Sequence, residues 1–452
     1  MLLFIHDEAS PGLRPYGGAS RWWLDKSLAA LAARIAAAGG QLALRAGASA
    51  DVLPAIIAET GADRVFWNRR YQKAERDLDG AIMDALKASG VAVSSFNGRL
   101  LNEPWQIETG AGGDYKVFTP YWKAVKARYR APDALPAPTS LAGPDVASDT
   151  LSDWNLHPTR PDWADGLAAT WTPGEAGAME RLSDFLDSPV NAYAEARNRP
   201  DIDTGTSRLS PHLRFGEIGP AQVWRAVRHG VESGRVDEAG AMTFLSEIGW
   251  REFSYSLLFH NPDLASENYN PDFRHMPWRN DRVAYQAWCR GETGYPIVDA
   301  GMRQLWQTGF MHNRVRMIVA SFLTKHLLLP WQIGEDWFWD TLVDADPAAN
   351  PASWQWTAGS GADAAPYFRV FNPIIQGRKF DATGAYVRRW CPELSGLPDK
   401  YLHAPWEAGP ATLHTARVSL GTTYPEPIVD HPAARQRALD AYATLKDRRN
   451  AA

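Results

Sequence analysis

Along this chain the rhythm of apolar residues changes once, near residue 130, and that change limits what each part can fold into. Before it, short β-type runs (Leu2–His6, Gln41–Arg45, Arg64–Trp67, Val91–Phe96) alternate with helical stretches (Ser20–Ala38, Ala50–Glu59, Glu75–Ala88). Gly39-Gly40 and Gly90 supply stop signals for two of those helices. Strands alternating with helices predict a parallel sheet covered by helices on its faces. After about residue 176 only helical spacing remains, over Gly177–Leu186, Pro220–Glu232, Ala239–Phe259, Val283–Arg290, Ile297–Thr308, Arg314–Leu329 and Trp337–Leu342. The stretch between is rich in Pro, Ala, Asp and Ser and lacks any period, as a surface-crossing linker does. The expected fold class is therefore α/β followed by all-α: a Rossmann-like parallel-sheet domain over residues 1–128, a linker over 129–175, and a helical domain over 176–452.

Composition narrows the function classes. No run approaches the roughly 20 apolar residues of a membrane span, since Ile318–Leu329 is broken by Ser321, Thr324, Lys325 and His326. Met1–Ile5 runs directly into His6-Asp7-Glu8, without the basic start or cleavage site of a signal peptide. The two cysteines, Cys289 and Cys391, are too far apart in sequence for a metal or disulfide pattern, so a reducing, cytoplasmic setting is expected. A net charge of −5 argues against a uniformly basic nucleic-acid binder but leaves room for a local basic patch. Twenty tryptophans are heavy usage, and ordinary aromatic packing is the default reading for most of them.

Four segments carry residue types that suggest a site. In Gly205-Thr206-Ser207-Arg208-Leu209-Ser210-Pro211, hydroxyls and an arginine precede a helix start, with Ser210 as cap and Pro211 in the first turn; an anion would suit that end. Glu247, Trp250 and Arg251 share one helix face, beside a Gly249 whose placement inside a helix implies a close approach by another group. Asn313, Arg316 and Met317 share another face, while His312 has no partner at metal-ligand spacing. Asp344 and Asp346, two apart in apolar surroundings, cannot both be buried unpaired, and Arg316 is a natural partner for one. Two close carboxylates also occur in glycoside hydrolysis, but no sugar-binding context accompanies these.

Taken together, these segments resemble the photolyase/cryptochrome family, and within it the bacterial cyclobutane pyrimidine dimer photolyases. The resemblance runs from Arg21-Trp22-Trp23-Leu24 to about Trp406. It is most specific in Gly205–Ser210, Trp250-Arg251-Glu252-Phe253, Thr293-Gly294-Tyr295-Pro296-Ile297-Val298-Asp299, Met311–Arg316 and Trp354–Phe371.

The resemblance implies FAD held in a bent form by the helical domain. Tyr193, Thr206, Ser207, Arg208, Leu209 and Ser210 would hold its phosphates and ribityl chain, and Asp344, paired with Arg316, and Asp346 would lie in the flavin-binding segment. Asn350 would face the flavin N5, and Glu247, Arg251, Asn313 and Trp354 would line the pocket. A flipped-out dimer would rest between Trp250 and Trp356, with Glu247, Asn313 and Met317 completing its contacts. Arg197, Arg251, Arg314, Arg369 and Gln376 would meet the DNA. Trp354, Trp331 and Trp278 match the photoreduction chain. The implied enzyme is a light-driven lyase that repairs pyrimidine dimers in DNA, without a membrane and as a monomer.

The chain departs from the family at its start, where a strand and helix with an Arg-Asp-Leu-Arg type segment are expected; loss of that strand would expose sheet and damage the antenna site. Glu75 matches a folate-antenna position, but Ala74 stands where relatives carry Asn, so a folate or deazaflavin antenna stays open. A cryptochrome photosensor would be expected to lose lesion-pocket residues, and a (6-4) photoproduct enzyme to carry paired histidines near Met311-His312-Asn313. The iron–sulfur branch needs four cysteines, and this chain has two.

Overall fold

The computed structural model describes residues 1–132, 135–364 and 368–451. The N-terminal part alternates β1 (Leu2–His6), α1 (Gly18–Ala37), β2 (Leu42–Ala46), α2 (Ser49–Thr60), β3 (Arg64–Asn68), α3 (Lys73–Ala88) and β4 (Ala92–Phe96), and α4 (Phe118–Arg128) follows. Then come α5 (Asp165–Thr170), α6 (Glu175–Asp187), α7 (Tyr193–Ala196), α8 (Ser210–Phe215), α9 (Pro220–Glu232) and α10 (Glu238–His260). The middle of the helical part holds α11 (Arg282–Arg290), α12 (Pro296–Thr308), α13 (Asn313–Ser321), α14 (Trp331–Thr341) and α15 (Ala349–Ala358). It ends with α16 (Pro373–Phe380), α17 (Ala385–Trp390), α18 (Asp399–Leu402), α19 (Pro410–Thr415) and α20 (His431–Ala451).

The expected single parallel sheet is present as two separate pairs. β1 runs parallel to β2 and β3 parallel to β4, with no strand among the described residues joining the pairs. Strands of a parallel sheet are normally covered on both faces. Here Phe66 of β3 and Phe96 of β4 are 62% and 53% exposed. The outer edge of β2 is sealed by the linker instead: Asp149 donates its N–H to the Leu44 carbonyl at 2.8 Å, and Gln41 exchanges bonds in both directions with the Val146 backbone.

Other departures from the expected elements have local causes. The helix expected over Arg314–Leu329 is α-helical only to Ser321. A π-helical turn, Phe322–His326, follows, and Leu328 takes a positive φ of 55°. The helix expected over Trp337–Leu342 begins earlier, at Trp331, directly after Pro330. Helices α17, α18 and α19 were not legible, because two turns or fewer give too little period to detect.

The two parts are locked together by aromatic packing and by buried acids. Trp23 of α1 is fully buried against Trp171, His212 and Phe215, and its indole N–H donates to Glu217 at 2.9 Å. Gly249 does mark a close approach: a Cβ there would lie 2.6 Å from the Trp122 ring of α4. Glu252, buried on α10, accepts the backbone N–H groups of Leu101 (2.8 Å) and Asn102 (3.2 Å) from the N-terminal part. Burial pushes its carboxyl up to about 7, against the opposing pull of Arg251 and those N–H donors.

Gly249→Ala is expected to destabilise the fold by about 1–3 kcal/mol in a denaturant titration, because overpacking Trp122 outweighs the ~1 kcal/mol gained in helix propensity. Glu252 holds its proton more tightly folded than unfolded, where its value is the ordinary 4.5. Its contribution is therefore complete below pH 4.5 and fades as pH rises through about 7. The stability difference between wild type and Glu252→Gln, measured across that window, should move against the wild type with rising pH; a flat difference would refute the assignment.

Candidate functional site

The floor of the site is a buried ion pair. Asp344 is buried, and its carboxylate accepts from Arg316 Nη2 at 2.8 and 3.1 Å. The same carboxylate accepts from Ser210 Oγ at 2.6 Å, while Arg316 Nε donates to the Met311 carbonyl at 2.7 Å. One charge pair thus gathers α8, α13 and the segment before α15. It also corrects the expectation for Ser210, which begins α8 but does not cap it: the cap position is Leu209, no side chain caps the helix, and the Ser210 hydroxyl is turned to Asp344.

The preceding loop is constrained. Gly205 lies close to the Ala196 carbonyl, Arg208 takes a positive φ of 51°, and its guanidinium rests 3.1 Å from Asp203 and over the Phe310 ring. Thr206 and Ser207 stay half-buried, Leu209 is buried, and Tyr193 packs edge-on to Phe185 and Phe244.

Asp346 does not share Arg316. Its Oδ1 accepts the N–H groups of Ala348 and Ala349 at the start of α15, and its Oδ2 accepts from the Tyr255 hydroxyl at 2.9 Å. Asn350, one turn further on, donates Nδ2 to the Glu335 carbonyl (3.1 Å) and to Glu335 Oε1 (2.8 Å). A carbonyl oxygen can only accept, so the amide orientation is determined and Oδ1 points the other way. No described residue donates to it.

The side chains expected around the lesion sit on α10, α13 and α15, and α15 packs on both α10 and α13. Glu247 pairs with Arg197 at 2.7 Å, and burial raises its carboxyl despite that partner. Trp250 stacks on Phe118 with ring centroids 3.8 Å apart, whereas Trp356 anchors its indole N–H on the Asp363 carbonyl at 3.0 Å. Asn313 is exposed and Met317 half-buried. Arg314 reaches Asn198 through two nitrogens, at 2.6 and 3.2 Å, and lies over the Phe380 ring. Burial first, and then the charges of Arg197 and Arg369, hold its guanidinium below the usual value, so three arginines from distant segments feel one another. Arg369 is exposed and Gln376 half-buried.

The Arg251 side chain is 12% exposed, and its guanidinium bonds the carbonyls of Arg99 (2.6 Å) and Leu213 (3.5 Å), so it braces the interior. His312 accepts the Arg314 N–H on Nδ1, and burial with the nearby arginines holds its ring down to about 3, so it stays neutral.

Of the three candidate electron-carrying tryptophans, Trp354 and Trp331 are buried and Trp278 is half-buried. The ring neighbours of Trp354 are Trp288 and Phe338, and Trp331 donates to Asn268 at 2.8 Å. The expectations missed Arg14, Glu335, Tyr255 and Phe118. One signal was available for Glu335: Trp331, Glu335 and Trp339 are spaced by four, which puts an acid on an aromatic, core-facing stripe.

The donor set fits a flavin. An amide oxygen lacks a donor, the buried Trp354 indole N–H lacks an acceptor, and a fixed cation–anion pair lies beside the Ser210 hydroxyl. Such groups would meet the polar edge of an isoalloxazine and its ribityl and phosphate tail.

Known proteins agree with this arrangement. The family model described as the FAD binding domain of DNA photolyase matches residues 244–444, and the one described as DNA photolyase matches residues 1–139. A deoxyribodipyrimidine photo-lyase of Agrobacterium fabrum is 54% identical over 96% of this chain and 90% of its own length. Cryptochrome-1 of Arabidopsis thaliana is 36% identical over 98% of this chain and 66% of its own. Among solved structures, a bacterial class III photolyase from Agrobacterium tumefaciens superposes with a TM-score of 0.95 at 52% identity, covering 99% of this chain and 92% of that one. A cryptochrome from Synechocystis superposes at 0.87 with 27% identity, covering 97% and 92%. With its catalytic part matching a flavin-binding model and nearly its full length matched by these relatives, this chain belongs to the DNA photolyase/cryptochrome family.

Proposed function

We propose that this protein is a deoxyribodipyrimidine photo-lyase: an enzyme that repairs cyclobutane pyrimidine dimers in DNA with light. The observation that carries the reading is the placement of Glu247, Trp250, Asn313, Met317 and Trp356 on α10, α13 and α15, with α15 packed on both of the others, flanked by Arg197, Arg314 and Arg369. Held by the Thr206–Ser210 segment and the Asp344–Arg316 pair, reduced FAD would supply light-driven one-electron donation that is returned after the ring is cleaved, so the reaction is a cleavage without net redox change.

The protein's own residues do the rest. The arginine trio neutralises phosphates beside the damaged site, which lets a net acidic protein hold DNA by local charge. A dimer stacks poorly in the duplex and is extruded at reduced cost. Trp250, backed by Phe118, and Trp356, tethered to Asp363, offer indole faces in place of the lost stacking. Glu247, whose carboxyl burial favours the protonated form, is suited to hydrogen-bond a pyrimidine edge. Trp354, Trp331 and Trp278 carry electrons inward when the flavin must be reduced.

We further infer action as a monomer in the cytoplasm. No helix of the described residues is long and apolar enough to cross a membrane, and Cys289 and Cys391 are buried free thiols. The 36% identity to a plant cryptochrome keeps a photosensory reading as the rival.

Blue-light repair of a defined thymine-dimer oligonucleotide, with a dark control, separates the two: a sensor leaves the dimer intact. Trp250→Ala and Trp356→Ala should each weaken binding of dimer-containing DNA by roughly 1–3 kcal/mol in a gel-shift titration, and unchanged affinity would count against the lesion pocket. Trp331→Phe should slow photoreduction of the oxidised holoenzyme while sparing repair by chemically reduced enzyme; normal photoreduction would reject the electron chain.

A further inference from the structure

Arg14 lies in the loop between β1 and α1, far in sequence from every residue assigned above. Its guanidinium forms a two-bond fork with Glu335 on α14, Nη1 to Oε1 at 2.9 Å and Nη2 to Oε2 at 2.8 Å. Nη2 also reaches Asp336 at 2.7 Å, and the guanidinium lies 4.1 Å above the Trp339 ring. The loop around it is pressed onto α14. Trp339 donates its indole N–H to the Pro15 carbonyl at 2.9 Å, Gly18 donates its N–H to Asp340 at 2.8 Å, and a Cβ on Gly17 would collide with the Trp339 carbonyl.

Glu335 is 1% exposed, and burial raises its carboxyl while Arg14 holds it down. The charged and titratable groups acting on it are Arg14 and Asp336, with the Tyr285 hydroxyl of α11 turned to the Ile333 carbonyl on the same helix. The ionised carboxylate can only accept, and one of the protons it accepts is the Asn350 amide N–H. Arg14, Glu335 and Asn350 therefore form a chain in which each donor direction dictates the next.

We propose that Arg14 is a positioning residue for the flavin: it holds Glu335 so that Asn350 presents its amide oxygen, not its nitrogen, to the site. The proposal rests on the reading that Asn350 faces the flavin N5. A reduced flavin bears a hydrogen at N5 and an oxidised one does not, so an oxygen-first amide favours the reduced form. Without Arg14 only the Asn350 hydrogen bond opposes the burial of Glu335; the carboxyl takes a proton more readily, becomes a donor, and leaves the longer bond to the Glu335 main-chain carbonyl alone to orient Asn350. The loop of the N-terminal part thereby bears on the redox poise of a cofactor held by the helical part.

The test is a redox titration of the FAD holoenzyme against pH. Arg14→Gln is expected to shift the oxidised-to-reduced equilibrium roughly tenfold toward oxidised, which lowers the midpoint potential by about 30 mV for a two-electron couple. It should also add an inflection with pH from Glu335, and Arg14→Lys should recover part of both. Glu335→Gln, which leaves the loop contact in place, should show the fall without the inflection and serves if Arg14→Gln does not fold. Wild-type potential and pH profile in Arg14→Gln and Glu335→Gln overturn the proposal. Asn350→Ala separates the failures: if it alone shifts the potential, the relay is wrong, and if it too leaves the potential unmoved, Asn350 does not face N5 and both readings fall.

Discussion

A carboxylate inside a helical domain must be met by donors or give up its charge. Asp344 solves this with Arg316 and Ser210, and the solution organises the catalytic part. The ligands of that one charge come from α8 and α13, and Arg316 in turn pins the Met311 carbonyl. Asp346, two residues on, answers the same constraint with Tyr255 and two backbone N–H groups, and so starts α15. Helix α15 then carries Asn350, Trp354 and Trp356 at fixed angles.

How much of this was legible depended on the length scale of each pattern. Strands beginning at Leu2, Leu42, Arg64 and Ala92 alternate with helices long enough to show their period, and nearly every element in residues 1–125 was readable from hydrophobic spacing. The Asp344–Arg316 pair was also within reach, because two buried acids in an apolar segment demand a partner. The fate of Asp346 was not, since Tyr255 lies on a distant helix and nothing in its local sequence marks it as a donor. The brace formed by Arg251 was out of reach for a related reason: a helix face shows which residues are neighbours, not whether a guanidinium turns to solvent or to the Arg99 carbonyl. The π-helical turn after Ser321 has no simple sequence signature and was read as straight helix.

The division of labour between the two parts is less clean than their architecture. The N-terminal part sends a loop to α14 through Arg14, takes a carboxylate from α10 through Glu252, and buries Trp23 among residues of the helical part. These contacts make the domain boundary a set of satisfied polar and aromatic partners, so the geometry near the candidate flavin site depends on both.

The two separate strand pairs carry one more consequence. Each strand of a parallel ladder directs half of its N–H and C=O groups to either side, and among the described residues β1 and β3 each use only one side. The other side is a row of polar groups spaced to template an incoming strand, with Phe66 and Phe96 providing adhesive apolar surface nearby. Colloidal behaviour at high concentration is thus governed by a few residues remote from the chemistry, and a lysine or proline on either open edge would act as a gatekeeper there.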